Sequence, residues 1–223
     1  MTRQLAFELP LRPALGREDF FVSAANAAAL AALEGWQSWP GGKTLLIGPP
    51  GAGKTHLAHV WAAMAGAPIR AALSLEREGL PELAQGGAVT VEDCHLLGQS
   101  RPAQEALFHL HNLLGASGGA LLITAQTPPR DWGLSLADLY SRAQAAPIAR
   151  LDAPDDALLA AVLVKLFADR QLIVGPTLIP YLVTRMDRSF DAARSLVARL
   201  DAEALARGSA ITRGLAARML DNP

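Results

Sequence analysis

Three short apolar runs, Thr44–Ile47, Ala88–Val91 and Ala120–Thr124, punctuate the first two thirds of the chain. Each is bounded by glycine on its amino side or close to it. Continuous apolar runs of this length are the pattern of strands buried on both faces of a parallel sheet. Between them lie helix-like stretches. Asn26 to Leu33 is rich in alanine and ends at Gly35, and Trp36 to Gly42 reads as a loop. Lys54 to Ala65 has helical composition. Ala103 to Leu114 carries a stripe of Leu107, Leu110, Leu113 and Leu114 that ends at Gly115. Strands alternating with helices predict an α/β core, a parallel sheet flanked by helices on both faces.

After Leu151 the period changes. Pro154-Asp155 opens a helix with Leu158, Leu159, Val162, Leu163 and Leu166 on one side. Pro176 to Met186 and Ser189 to Ala206 read as two more helices, the second stopped by Gly208, and Thr212 caps a last short one. Leu172-Ile-Val174 is a short apolar run with no partner strand in view. The expected organisation is an extended tail (1–16), an α/β core (17–152) and a small all-α lid (153–223).

Composition narrows the function. The chain has 223 residues, is 51% hydrophobic and 18% charged, and carries a formal net charge of −1. That rules out wholesale disorder and argues against wrapping nucleic acid by its own electrostatics. The lone Cys94 makes neither an internal disulfide nor a zinc cluster. No apolar run approaches ~18 residues and the N-terminus lacks a charged-then-apolar signal pattern, so the expectation is a cytoplasmic protein with no membrane span. Lysine occurs only at 43, 54 and 165; the other basic residues are arginine.

One of those lysines closes a motif. Gly48-Pro49-Pro50-Gly51-Ala52-Gly53-Lys54-Thr55 fits G-x-x-x-x-G-K-[ST] at every fixed position, between a strand and a helix. Gly51 and Gly53 permit the backbone dihedrals that let several N–H groups converge on one phosphate. The following helix directs its positive end at the same anion. Lys54 supplies a point charge for the β- and γ-phosphates, and the Thr55 hydroxyl is a Mg²⁺ ligand. The chain is therefore expected to bind a nucleoside di- or triphosphate.

Glu92 and Asp93 follow the second strand. In phosphate-loop proteins carboxylates here hold Mg²⁺ and orient an attacking water. The usual order is Asp first; here Glu92 takes the metal place and Asp93 the water-orienting place. Thr124, at the end of the third strand, is a candidate for contact with the γ-phosphate or the water, and Gln126 is its rival. The histidines 56, 59, 95, 109 and 111 match no metal-ligand spacing and read as packing or surface positions. Periodicity shows no stacking platform among Trp36, Trp39, Trp61 and Trp132.

The phosphate loop, the Glu92-Asp93 strand end, the stretch Leu122-Ile-Thr-Ala-Gln-Thr-Pro-Pro-Arg130, the segment Leu139-Tyr-Ser-Arg142 and a helical lid follow one another in an order that resembles AAA+ ATPases of the bacterial replication initiator (DnaA) family. The resemblance spans roughly residues 17–220. It implies an AAA+ phosphate-loop core and lid, with ADP or ATP and Mg²⁺ as cofactors. It implies that Phe20, Phe21 and Val22, within Asp19–Asn26, join Gly48 to His56 in holding the adenine nucleotide. It also implies that Arg142 acts in trans as an arginine finger on a neighbour's ATP. The resemblance ends with the lid, so the expected architecture lacks an initiator's DNA-binding domain and is similar to that of the initiator-related regulators of the Hda type.

Gln4-Leu5-Ala6-Phe7-Glu8-Leu9 resembles the short peptide by which partners dock on the bacterial sliding clamp, the β subunit of DNA polymerase III. Gln4 would supply an amide, and Leu5, Phe7 and Leu9 would enter apolar pockets. The implied partners are then the clamp and the initiator DnaA, with DNA reached only through the clamp and a homo-oligomer compatible with the family. The implied function is regulatory inactivation of the initiator by stimulated hydrolysis of its ATP. The alternatives are an autonomous AAA+ ATPase that remodels or loads a protein, and a non-catalytic tether. One departure stands out: the position of the family's lid sensor arginine falls on Asp191, whose charge would repel phosphates. Arg188 or Arg194 could substitute.

Overall fold

The computed structural model describes residues 16–17 and 20–221. The clamp-peptide residues Gln4, Leu5, Phe7 and Leu9 lie outside them, as does Asp19.

The sheet assembles from β1 (Lys43–Ile47), β2 (Ile69–Ala71), β3 (Ala88–Glu92), β4 (Ala120–Ala125) and β5 (Ile148–Arg150) in the order β2-β3-β4-β1-β5. All pairings are parallel. The three strands legible as apolar runs are the three central ones. They are buried along nearly their whole length, as strands covered on both faces must be. The two edge strands are three residues each and mostly exposed, so they carry no apolar run for a sequence reading to find.

Helices α1 (Ala27–Glu34) and α2 (Lys54–Ala65) cover one face. Leu30, Leu33, Leu57 and Trp61 pack there with Leu46 and Leu122. The Trp61 ring stacks on Trp39 at 5.2 Å and meets Trp36 edge-on at 6.1 Å, so three of the four tryptophans form one aromatic cluster under α1. The loop expected at Trp36–Gly42 is two short 3-10 turns. The other face is covered by α3 (Leu80–Gln85), α4 (Arg101–Ser117) and α5 (Ala137–Ala145), whose Leu107, Leu110, Leu114 and Leu139 pack on Leu45, Val89 and Ile123. The α4 helix starts earlier and ends later than its leucine stripe. Ser100 caps it by accepting the Ala103 N–H at 3.3 Å, and it runs through Gly115 to a left-handed Gly118.

A third core belongs to the lid helices α6 (Asp156–Asp169), α7 (Leu178–Val183), α8 (Phe190–Arg207) and α9 (Arg213–Asp221). The Asp155 carboxylate caps α6 by accepting the Leu158 N–H at 2.8 Å, and Ser189 caps α8 by accepting the Ala192 N–H at 3.0 Å. Gly208 ends α8 in the left-handed conformation, and Thr212 accepts the Leu215 N–H at the start of α9. The α7 helix is shorter than the expected Pro176–Met186, and no strand forms at Leu172–Val174, where Ile173 is almost fully exposed. Among the described residues no helix is long and apolar enough to cross a membrane.

Candidate functional site: a nucleotide-sized cleft between sheet and lid

The carboxyl ends of the strands face the lid across a cleft of about 880 Å³. Such crevices at the strand ends are where parallel α/β sheets bind ligands. The loop 48–53 enters from β1, and α2 leaves with its first turn directed into the cleft. Gly51 and Gly53 have φ of +68° and +95°, values that side chains rarely adopt. They also lie against the lid. A Cβ on Gly51 would come within 2.5 Å of Ser189 Cβ, and one on Gly53 within 3.0 Å of the Phe190 ring. The Phe190 N–H donates to the Gly51 carbonyl at 2.8 Å. The start of α8 is thus seated on the loop.

Lys54 Nζ donates to the carbonyls of Gly48 and Pro49, each at 2.8 Å, and is largely buried. Burial lowers its pKa, and the carboxylates of Asp93, Asp191 and Glu92 oppose that shift. Burial pushes the Glu92 carboxyl above its ordinary value; a hydrogen bond from the Thr55 hydroxyl is the largest effect against it. A hydroxyl and a carboxylate joined in this way are hard oxygen donors of the kind Mg²⁺ takes, so the residues present fit the metal. Asp93 has φ +59°, and its N–H donates to Thr124 Oγ1 at 3.2 Å. Thr124 is 1% exposed and does not line the cleft, whereas Gln126 and Asp93 do. The Thr124 hydroxyl therefore holds the turn that presents Asp93, and Gln126 is the strand-end side chain facing the cleft.

Of the remaining predicted residues, Phe20, Phe21, Pro50, Gly51, Gly53, Lys54, Thr55 and His56 line the cleft, and Phe20 meets the His56 ring edge-on at 5.2 Å. Val22, Gly48, Pro49, Ala52 and Glu92 do not line it. Gly48 is placed by packing instead: a Cβ there would sit 2.6 Å from the Leu151 carbonyl. The far wall is lid helix α6. Leu158, Val162, Lys165, Leu166, Asp169 and Arg170 face the cleft; of these, the sequence places Leu158, Val162 and Leu166 on the apolar side of the helix. The charged residues at 165 and 169, at helical spacing from Val162 and Leu158, were the available signal.

Asp191 lines the cleft and forms an ion pair with Arg194, which also lines it. Arg188 is bound to Asp156 at 2.6 Å and does not line it. Of the two arginines open as substitutes, Arg194 is the one in the cleft. Arg142 is far from all of this. It is exposed on α5 beside Lys43, at the amino end of β1, and among the described residues it makes no ion pair or hydrogen bond. Cys94 is fully buried and far from reactive, with burial raising its pKa. Among the described residues no His, Cys, Asp and Glu cluster could by itself hold a metal.

The fold is that of an AAA+ phosphate-loop domain with a five-stranded parallel sheet. In sequence the chain is related to the chromosomal replication initiator protein DnaA of Caulobacter vibrioides, at 27% identity over 221 residues covering 88% of this chain. It spans 45% of the length of that relative. Domain III of DnaA from Thermotoga maritima superimposes with a TM-score of 0.77 at 20% identity, over 96% of this chain and 98% of that one. AMPPCP-bound DnaA from Aquifex aeolicus superimposes with a TM-score of 0.67 at 18% identity, over 86% of this chain and 66% of that one. No protein-family model matches the chain.

Proposed function

We propose that this chain is a nucleotide-bound regulator of replication initiation that stimulates hydrolysis of ATP held by DnaA. Relatedness to DnaA supports the connection with initiation. An adenine nucleotide, ADP in the working state, would lie on the 48–55 loop with Mg²⁺ near Thr55 and Glu92. Phe20 and Phe21 would flank the base, and the α6 wall would close over it.

The observation that carries the regulatory reading is the position of Arg142. The β1 strand has five residues, so at ~3.3 Å per residue its ends are roughly 16 Å apart. Arg142 stands at one end and the phosphate loop at the other. An exposed guanidinium that pairs with no carboxylate among the described residues, at the far end of the strand from its own loop, can enter another molecule's site. There it would stabilise charge developing on the transferred phosphoryl group. The tail would hold the chain on the sliding clamp, through Gln4, Leu5, Phe7 and Leu9. That attachment gives the chain its location on DNA without a basic surface of its own.

The test is single-turnover hydrolysis of ATP on DnaA with clamp-loaded DNA and this chain. Arg142→Ala is expected to remove the stimulation, an effect on the order of a thousandfold for an arginine finger. Full stimulation by the variant overturns the assignment. The Thr55–Glu92–Asp93 arrangement favours a second reading, an autonomous ATPase. Steady-state turnover by the purified chain alone distinguishes it.

A further inference from the structure

Lys43 is the second buried lysine, 9% exposed at the amino end of β1. Its Nζ donates to the Gly41 carbonyl at 2.8 Å and lies 3.3 Å from where a Cβ on Gly115 of α4 would be. His111 is one turn earlier on the same helix face. The α5 helix packs on α4 through Leu139 and Ala143, and the chain then enters β5, whose first residue is in register with Leu45. That connection delivers Arg142 to the same corner. Three nitrogen-bearing side chains from three elements therefore converge at the foot of the sheet.

Among the described residues no carboxylate forms an ion pair with Lys43, His111 or Arg142; Asp138, one turn before Arg142 on α5, is not bonded to it. Arg142 is the charged group that acts on Lys43; Lys43 and Arg142 are those that act on His111, with the Asn112 side chain as its polar neighbour. The His111 Nδ1 is buried and has no hydrogen-bond partner. The end of α4 and the Gly41 carbonyl account for Lys43 alone. They explain neither the arginine set beside it nor the orphaned imidazole nitrogen. Like charges placed together and a buried polar atom without a partner both cost free energy unless something else completes them.

We propose that Lys43, His111 and Arg142 form a binding site for a phosphate-class oxyanion. The two cations supply charge and several N–H donors; His111, in the tautomer protonated at Nδ1, supplies one more. Where the anion comes from depends on the reading of Arg142 above: the nucleotide of a docked partner, or free phosphate. The site itself does not depend on that reading.

The test is imidazole NMR of His111 in the full chain, titrated with inorganic phosphate against chloride at equal ionic strength. Phosphate is expected to shift the His111 signals saturably and to raise its pKa from about 4, because a bound anion offsets Lys43 and Arg142. Lys43→Gln and Arg142→Ala are each expected to weaken phosphate binding about tenfold, the scale of one charged hydrogen bond. Lys43→Arg keeps the charge and retains binding, and the other histidine signals report that each variant is folded. Lys54→Ala keeps the response, since the phosphate loop is at the other end of the strand. No response beyond chloride, or a response that survives both Lys43→Gln and Arg142→Ala, overturns the proposal. Phosphate that also inhibits stimulated hydrolysis on DnaA assigns the anion to the partner's nucleotide; binding without inhibition assigns it to free phosphate. Stimulation lost in Arg142→Ala with no His111 response leaves the arginine finger standing and removes this site.

Discussion

Lys43 and Lys54 flank the same strand, and both are largely buried with their pKa lowered by burial. Their surroundings are opposite. Lys54 faces Asp93, Asp191 and Glu92, all of which favour its charge. Lys43 faces Arg142, which opposes it. One end of the sheet is therefore a balanced cation site into which a ligand's charge must be inserted. The other holds two cations that, among the described residues, form no ion pair with a carboxylate. Burial alone says little about a lysine's purpose; the sign of its neighbours says more.

The largest expected effect comes from removing the balanced cation. Lys54→Ala takes away a charged donor to the phosphates and leaves the Asp93 and Asp191 carboxylates in the cleft without it. A hydrogen bond to a charged group is worth about 1.5–3 kcal/mol. The expected loss of nucleotide affinity is therefore about tenfold to a hundredfold, measured by calorimetric titration with ADP. Unchanged affinity would mean that the cleft does not use Lys54 as proposed.

Asp191 sharpens the same end. It stands where a phosphate-contacting arginine is expected by resemblance, and its pairing with Arg194 spends the local positive charge on a carboxylate. Two unit charges about 4 Å apart in water interact by about 1 kcal/mol, roughly fivefold in affinity. Asp191→Asn is expected to shift the ATP-to-ADP affinity ratio upward by about that factor. Competition between the two nucleotides reads this directly, and a ratio that does not move would place the γ-phosphate elsewhere.

How much of this could be read from the chain follows how local each feature is. The phosphate loop is one contiguous string, and α2 runs from Lys54 to Ala65 as its sequence suggests. The central strands were visible because burial on both faces makes them uniformly apolar. The edge strands β2 and β5 were not, because half-exposed segments of three residues leave no pattern. Thr124 was legible as a strand-end hydroxyl, but its bond to the Asp93 N–H depends on how β3 and β4 pair. The α6 wall of the cleft was hidden because one helix serves both the lid core and the cleft. The Lys43–His111–Arg142 corner was least visible of all, since two crossover connections bring those residues together.

That corner also has a pH signature, smaller than the effects on ligand. Burial, with Lys43 and Arg142 adding to it, holds His111 at about 4 against 6.5 for an ordinary histidine. As pH falls below 6.5 the unfolded chain takes a proton that the folded chain refuses until about 4. The unfolded state then binds more protons, so stability declines across that window. His111→Gln is expected to flatten this part of the profile, measured by urea denaturation across the same range. An unchanged slope would assign the acid sensitivity to other groups.

The smallest expected effect is the most pointed, because its sign separates the two lysines. The lowered pKa of Lys43 means that the folded state disfavours its charged form relative to the unfolded state. The penalty is fully present below the lowered pKa, including at neutral pH. It fades as pH rises through that value towards 10.5, where the unfolded lysine also loses its proton. Lys43→Met fills similar volume without the charge, and replacing buried charged groups in this way is often stabilising. The expected gain is about 1 kcal/mol at neutral pH, shrinking at alkaline pH, seen as a higher denaturation midpoint with an unchanged slope. A loss instead would mean that the Gly41 carbonyl and the end of α4 already satisfy Lys43, and that it supports the fold. A gain would mean that a stabilising change is open to the chain at a position where it carries one of its three lysines.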